Sequence, residues 1–309
     1  MNPIAASWDL NIPLEIVANT ALTRTGAGDP TGFRRDGRIW RAARFRTGAA
    51  TLSIWSLHGR LHAEAWGPGA ADALASVPAL TGLADDPAGF DPSIHHVVSA
   101  AAAARPGIRL VRTNAIFDAA VRAVLGQKVT GLQAKRSFHA LARRCGERAP
   151  LPVAARRPLY LPPSPAQVLK ALAGHGAATL GMDITRATTL REVALVADHL
   201  EALSLRTPDA ARAALQQIPG VGEWTANEIT VVAMADADAV SVGDFHLKNI
   251  VSYALTGVAR GTDERMVELL ERFRPHRARA VRFIELSGIR PPRYGPRMEV
   301  PPHLPIARP

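Results

Sequence analysis

Two stretches of this chain carry residues suited to chemistry. The first is Leu215-Gln-Gln-Ile-Pro-Gly-Val-Gly-Glu-Trp-Thr-Ala226, where two helical patterns meet through Pro219, Gly220 and Gly222. Proline cannot continue the first helix, and the glycines permit backbone angles and approaches that a Cβ would block. The amides of Val221, Gly222 and Glu223 are then expected to be free at a helix N-terminus, where backbone donors and the macrodipole suit a phosphate. Such a helix-hairpin-helix grips a nucleic-acid backbone without reading its sequence. The plainer alternative is an ordinary Pro-Gly turn between packed helices. The second stretch is Val242-Gly-Asp-Phe-His-Leu-Lys248, with Asp244 at an expected helix start. There Asp244 is either a simple N-cap, worth about 1 kcal/mol, or a carboxylate working on a sugar. If the hairpin holds the phosphates beside an extruded nucleotide, a fixed anion facing C1′ has a clear task. It stabilises the oxocarbenium-like charge that builds as an N-glycosidic bond breaks, and it orients the attacking water.

Charge is distributed as a polyanion-binding protein requires. Of the 309 residues, 37 are Lys or Arg and 27 are Asp or Glu, a formal net charge of +10, almost all the positive charge being arginine. Residues 1–110 hold 10 basic against 9 acidic side chains, and residues 111–309 hold 27 against 18. The excess therefore lies in the half that contains the hairpin. A GC-rich genome would also enrich arginine, but it would not explain the asymmetry. The single cysteine, Cys145, excludes an internal disulfide framework and any four-cysteine zinc or iron–sulfur site. His58 and His62 flank a turn in a strand region with no further ligand placed to complete a metal site. No signal-peptide pattern and no apolar run of membrane-spanning length is present, so a cytoplasmic, nucleoid-associated protein without a membrane partner is expected.

The elements that must position these residues divide the chain into a small sheet followed by helices. Runs at 38–46, 50–57 and 60–66 are rich in β-branched and aromatic residues and are separated by Thr47-Gly48 and His58-Gly59, which predicts hairpin-linked strands. Helices are expected over about 67–77 and 92–104. From Thr113 onward the chain reads as helices: Ala115–Leu125 behind Asn114 as N-cap, then 132–144, one starting at Ser164-Pro165, a long one over 184–203, and one starting at Thr207-Pro208. Further helices cover 223–235, 244–255, 263–273 and 276–286, with a proline-rich loop at 146–163. The fold class is mostly α with an N-terminal α+β subdomain. The expected domains are 1–108 (α+β), 109–289 (all-helical, with the helix-hairpin-helix at 208–235) and a proline-rich tail at 290–309.

The hairpin and Asp244 do not stand alone. Ala104-Arg-Pro-Gly-Ile-Arg-Leu110, Val121-Arg-Ala-Val-Leu-Gly-Gln127, Leu180-Gly-Met182 with Arg186-Ala187, and Gly222-Glu-Trp-Thr-Ala-Asn227 run in a familiar order across residues 85–285. On these segments the chain resembles the helix-hairpin-helix DNA glycosylase superfamily, and within it the bacterial DNA-3-methyladenine (alkylpurine) glycosylase II group. The resemblance implies that Asp244 is the catalytic carboxylate, that Gly220, Val221 and Gly222 contact phosphate, and that hairpin carbonyls near Ile218 and Val221 hold a monovalent cation, Na+ or K+. No other cofactor and no iron–sulfur cluster is implied. The expected partner is double-stranded DNA with a damaged base, bound by a monomer.

Trp224 stands where relatives that also cut the backbone carry a lysine. An indole cannot form an imine, so a monofunctional glycosylase is expected. Trp224 suits stacking on an extruded, positively charged alkylpurine, the alternative being a core tryptophan. Phe245 keeps one aromatic place beside Asp244. Glu228, one turn after Trp224, departs from the aromatic lining of alkylpurine relatives. It reads as a solvated helix residue, or, facing the pocket, as an acceptor for an exocyclic amino group. Lys128 stands where relatives put an apolar wedge, and Gln127 is placed for contact near the opposite base. Thr225 and Lys248 complete the expected DNA-binding set. The alternatives are a glycosylase for oxidised or deaminated bases and a non-catalytic lesion-binding protein of the same fold.

Overall fold

The structure is a computed structural model that describes residues 2–23, 26, 28–152 and 157–292. Most of the expected tail, 293–309, lies outside the described residues. Five strands, β1 (Ile4–Asp9), β2 (Gly32–Arg35), β3 (Arg38–Phe45), β4 (Gly48–Leu57) and β5 (Arg60–Trp66), form an antiparallel sheet in the order β1-β5-β4-β3-β2. Two-residue turns at Asp36-Gly37 and His58-Gly59 have positive φ at both positions, the hairpin geometry that matches strand twist. His58 is thus a turn residue, and His62 stacks on Trp55 with ring centroids 5.4 Å apart. Strands β1 and β2 were not expected. β1 is short and mostly exposed, and only its pairing with β5, Ile4 opposite Ala65, makes it a strand.

Strand alternation gives the sheet two faces. On one, Leu52, Ile54, Leu61 and Ala63 pack against Ala73, Leu74 and Val77 of helix α2 (Ala70–Thr81), which runs past its expected end through Pro78. On the other, Phe33, Trp40 and Trp66 stack in series at 5.9 and 5.6 Å. Their cover comes from the expected loop at 146–163: Ala149, Leu159 and Leu161 close this second core. A short helix, α1 (Ile16–Asn19), precedes β2.

The remaining helices form two cores that do not follow chain order. α4 (Ile116–Gly126), α5 (Gly131–Cys145), α6 (Pro165–Leu172), α7 (Gly176–Thr179), α8 (Ile184–Leu195), α9 (Ala197–Ala202), α10 (Pro208–Leu215) and α11 (Glu223–Met234) surround one. The other gathers α3 (His96–Ala104) with α12 (Leu247–Thr256), α13 (Asp263–Glu271) and α14 (Arg277–Leu286), so a helix before residue 109 packs with the last three. Ser164 and Thr207 cap α6 and α10 as expected. Asn114 does not cap α4. It lies at φ +52°, and the carboxylate of Glu201 accepts the amides of Ile116 (3.2 Å) and Phe117 (2.9 Å) instead. The long helix expected at 184–203 breaks at Val196 into α8 and α9.

Candidate active site

The hairpin between α10 and α11 is built as its sequence requires, with one difference. Gly220 sits at φ +85°, and a Cβ there would come within 1.9 Å of Thr189 Oγ1 on α8, so both the angle and the contact demand glycine. Gly222 is the N-cap of α11 with no side-chain cap, and a Cβ on it would meet nothing within 4 Å. The first-turn amides of α11 therefore face an open approach. The amide of Val221, expected to be free, donates to Ile218 O at 3.0 Å and closes the turn, and its side chain is buried. Beside the hairpin, a recess of about 340 Å³ is lined by Ile184, Thr185, Thr188, Thr189, Pro219 and Gly220.

A residue from far away in the chain fixes the hairpin. Gln127, at the end of α4, donates through Nε2 to Gly220 O and to Thr225 Oγ1, each at 2.9 Å. Gln127, expected near the opposite base, is bonded to the hairpin in this structure, and Thr225, expected on DNA, is buried beside it. Lys128 is exposed in the following turn at φ +52°. Trp224 is half-buried, its indole against Gly126, where a Cβ would come 3.3 Å from Cη2. Its Nε1 is buried without a hydrogen-bond partner among the described residues.

Asp244 lies in the turn before α12, three residues ahead of the helix that was expected to begin on it. Its amide donates to Ser241 O at 3.1 Å, and its Oδ1 accepts the amides of His246 and Leu247, each at 2.7 Å. Oδ1 thus does the work of a cap, while Oδ2 has no bond of this kind among the described residues. Phe245 is 76% exposed and meets His246 edge-on at 4.9 Å, so it does not line an enclosed pocket in this structure. Lys248, expected on DNA, pairs through Nζ with Asp263 Oδ2 at 2.9 Å in this structure, and Asp263 Oδ1 accepts the Gly243 amide at 2.9 Å. Asp263, which sequence reasoning missed, therefore holds the chain on both sides of Asp244.

Two side-chain bonds stitch the hairpin helix to the segment that carries Asp244. Asn227 Nδ2 donates to Val240 O, and Ser241 Oγ donates to Glu228 Oε1. Glu228 is therefore not a solvated helix residue. Burial first, then the charges of Asp244 and Glu285, push its carboxyl up to about 7 against the opposing hydrogen bond from Ser241. Glu285, on α14, is also raised, by burial first and also by Asp244, with Arg282 and Arg290 opposing. No cluster of three or more His, Cys, Asp or Glu side chains fit to hold a metal occurs among the described residues. No helix among them is long and apolar enough to cross a membrane.

No family model matches the chain. Over 188 residues, 59% of this chain and 62% of the relative, it is 32% identical to DNA-3-methyladenine glycosylase 2 of Escherichia coli strain K12. The match thus spans less than two thirds of that relative. Among solved structures, 3-methyladenine DNA-glycosylase from Archaeoglobus fulgidus is similar with a TM-score of 0.77 at 16% identity, over 91% of this chain and 97% of that one. The 8-oxoguanine glycosylase/lyase of Clostridium acetobutylicum, solved with double-stranded DNA, is similar with a TM-score of 0.68 at 13% identity, over 90% and 92% of the two chains. The fold is that of the helix-hairpin-helix DNA glycosylases.

Proposed function

We propose that this chain, built on the helix-hairpin-helix glycosylase fold, is a monofunctional DNA glycosylase that hydrolyses the N-glycosidic bond of alkylated purines in duplex DNA. The observation that carries this reading is the stitching of α11 to the Asp244 turn through Asn227–Val240 and Glu228–Ser241. It couples a phosphate-binding helix start to a carboxylate with one oxygen left over for chemistry. The first-turn amides of α11 hold the backbone beside the damaged nucleotide, and the base leaves the stack. Asp244 Oδ2 then faces C1′, stabilising the positive charge as the bond to the base breaks and orienting the water that replaces it. Trp224 offers an indole face to the base and has no amine with which to form an imine, so strand cleavage does not follow. The sequence similarity to DNA-3-methyladenine glycosylase 2 supports alkylpurines as the substrate class.

A monovalent cation at the hairpin fits this arrangement. The Ile218 oxygen keeps a second lone pair beyond the Val221 amide that it accepts, and with the Val221 carbonyl it would hold the ion. Such an ion would add positive charge for a phosphate, and no step above depends on it.

The test is base release from duplexes bearing alkylated purines. Wild type is expected to yield abasic sites that become strand breaks only after alkali. Asp244→Asn is expected to lose about 10³-fold in single-turnover rate while still binding the duplex. Unchanged release in that variant would sink the assignment.

A further inference from the structure

Glu228 is placed as a working group. It lies one helical turn after Trp224, on the same face of α11. Its Oε1 takes the Ser241 hydroxyl, three residues before Asp244, so the carboxyl is held against the turn that carries Asp244. No ion pair reaches it among the described residues. The charged groups that act on it, Asp244 and Glu285, are both negative, and Arg282 and Arg290 act on Glu285 rather than on Glu228. Near neutrality the carboxyl is thus divided between acid and base forms. With Ser241 on Oε1, the acid form carries its proton on Oε2. The acid form can give that proton to an acceptor nitrogen on a ligand's edge, as an uncharged purine ring has.

We propose that Glu228 is the general acid of this site, protonating an uncharged purine as its glycosidic bond breaks. The inference rests on the glycosylase reading above. A cationic alkylpurine already carries the charge that lets it depart, whereas an uncharged purine must gain a proton. The proton passes from Glu228 Oε2 to a ring nitrogen of the base, N3 or N7. The C1′–N9 bond breaks with its electron pair going to the base, which leaves neutral. Water adds to C1′ and gives its proton to Asp244, and exchange with solvent returns Glu228 to its acid form and Asp244 to its carboxylate. The net reaction is hydrolysis, with no oxidant or further reactant.

The experiment compares single-turnover base release from duplexes carrying 7-methylguanine or hypoxanthine, for wild type and Glu228→Gln. Wild type is expected to release both. Its hypoxanthine rate is expected to fall about tenfold per pH unit above about 7. Glu228→Gln is expected to lower the ratio of hypoxanthine to 7-methylguanine release by about 10²-fold at pH 6 and to abolish that pH limb. Ser241→Ala, which removes the hydrogen bond that favours the carboxylate, is expected to move the limb to higher pH. Release of 7-methylguanine alone, an unchanged ratio in Glu228→Gln, or a limb that ignores both substitutions overturns the inference and leaves the glycosylase reading standing. Release of neither base by wild type overturns both.

Discussion

In the proposed site the hairpin and the Asp244 turn would serve one task, and they are built in opposite ways. The hairpin is held by neutral parts: Gly220 against Thr189, the Val221 amide on Ile218 O, and the Gln127 amide on Gly220 O and Thr225. The Asp244 turn is held by ionisable ones: Asp263 on Gly243 and Lys248, and Ser241 on Glu228. A phosphate grip needs only shape and free amides, which pH does not alter. A site that moves protons must keep titratable groups close together, and it takes on their pH dependence.

The largest effect should come from breaking the neutral side. Gly220→Ala puts a Cβ at φ +85° and into Thr189 Oγ1. Left-handed strain and overpacking together should lower unfolding free energy by about 3–5 kcal/mol, measured by urea denaturation. Adding Thr189→Ala should recover part of this, because it removes the hydroxyl and leaves the backbone strain. Gly222→Ala meets no neighbour and is not at positive φ, so it should weaken duplex binding more than stability. Equal destabilisation at the two glycines would remove the distinction between a packed glycine and one kept open for phosphate.

That distinction was half legible in the sequence. Pro219, Gly220 and Gly222 announce the hairpin, and Ser164-Pro165 and Thr207-Pro208 announce helix starts, because local sterics and caps act within a few residues. The partners that fix these elements come from elsewhere in the chain. Thr189 explains Gly220, Gln127 buries Thr225, and Glu201 caps α4 in place of Asn114. No local pattern encodes such contacts. The same limit governed the charged side: Asp244 could be singled out by its neighbours, whereas the roles of Asp263, Lys248 and Glu228 follow from helices that meet only in the fold.

On the charged side, Glu228 should make stability depend on pH. Its folded-state carboxyl titrates near 7 and its ordinary value is 4.5. Between these values the unfolded chain has released the proton and the folded chain still holds it, so stability falls as pH rises from about 4.5 to 7 and levels off beyond. The loss is at most about 3 kcal/mol. Glu228→Gln, which has no proton to lose, should gain on wild type across that window, the difference shrinking toward zero near pH 4. Urea denaturation at pH 4.5, 6 and 8 checks the slope, and parallel curves for the two proteins would contradict the burial argument.

The smallest effect separates holding a charge from moving a proton. Burial works against ionisation of Asp263, but the Gly243 amide and Lys248 outweigh it and keep the carboxyl below its ordinary value. Asp263 is therefore charged throughout the neutral range, where it positions Asp244 without titrating. In Asp263→Asn the carboxamide can accept from only one of its two partners. Its NH2 then faces either the Gly243 N–H or the Lys248 ammonium, donor against donor. The turn loosens and Asp244 is aimed less well, which should slow single-turnover release by about tenfold, or about 1.4 kcal/mol. Duplex binding should be nearly unchanged, because the hairpin keeps its own neutral supports. The defect should also be flat between pH 6 and 8, unlike the limb assigned to Glu228. A defect in Asp263→Asn that grows or vanishes across neutral pH would mean that the two acidic residues share one titration, and positioning and proton transfer would then not be separable in this site.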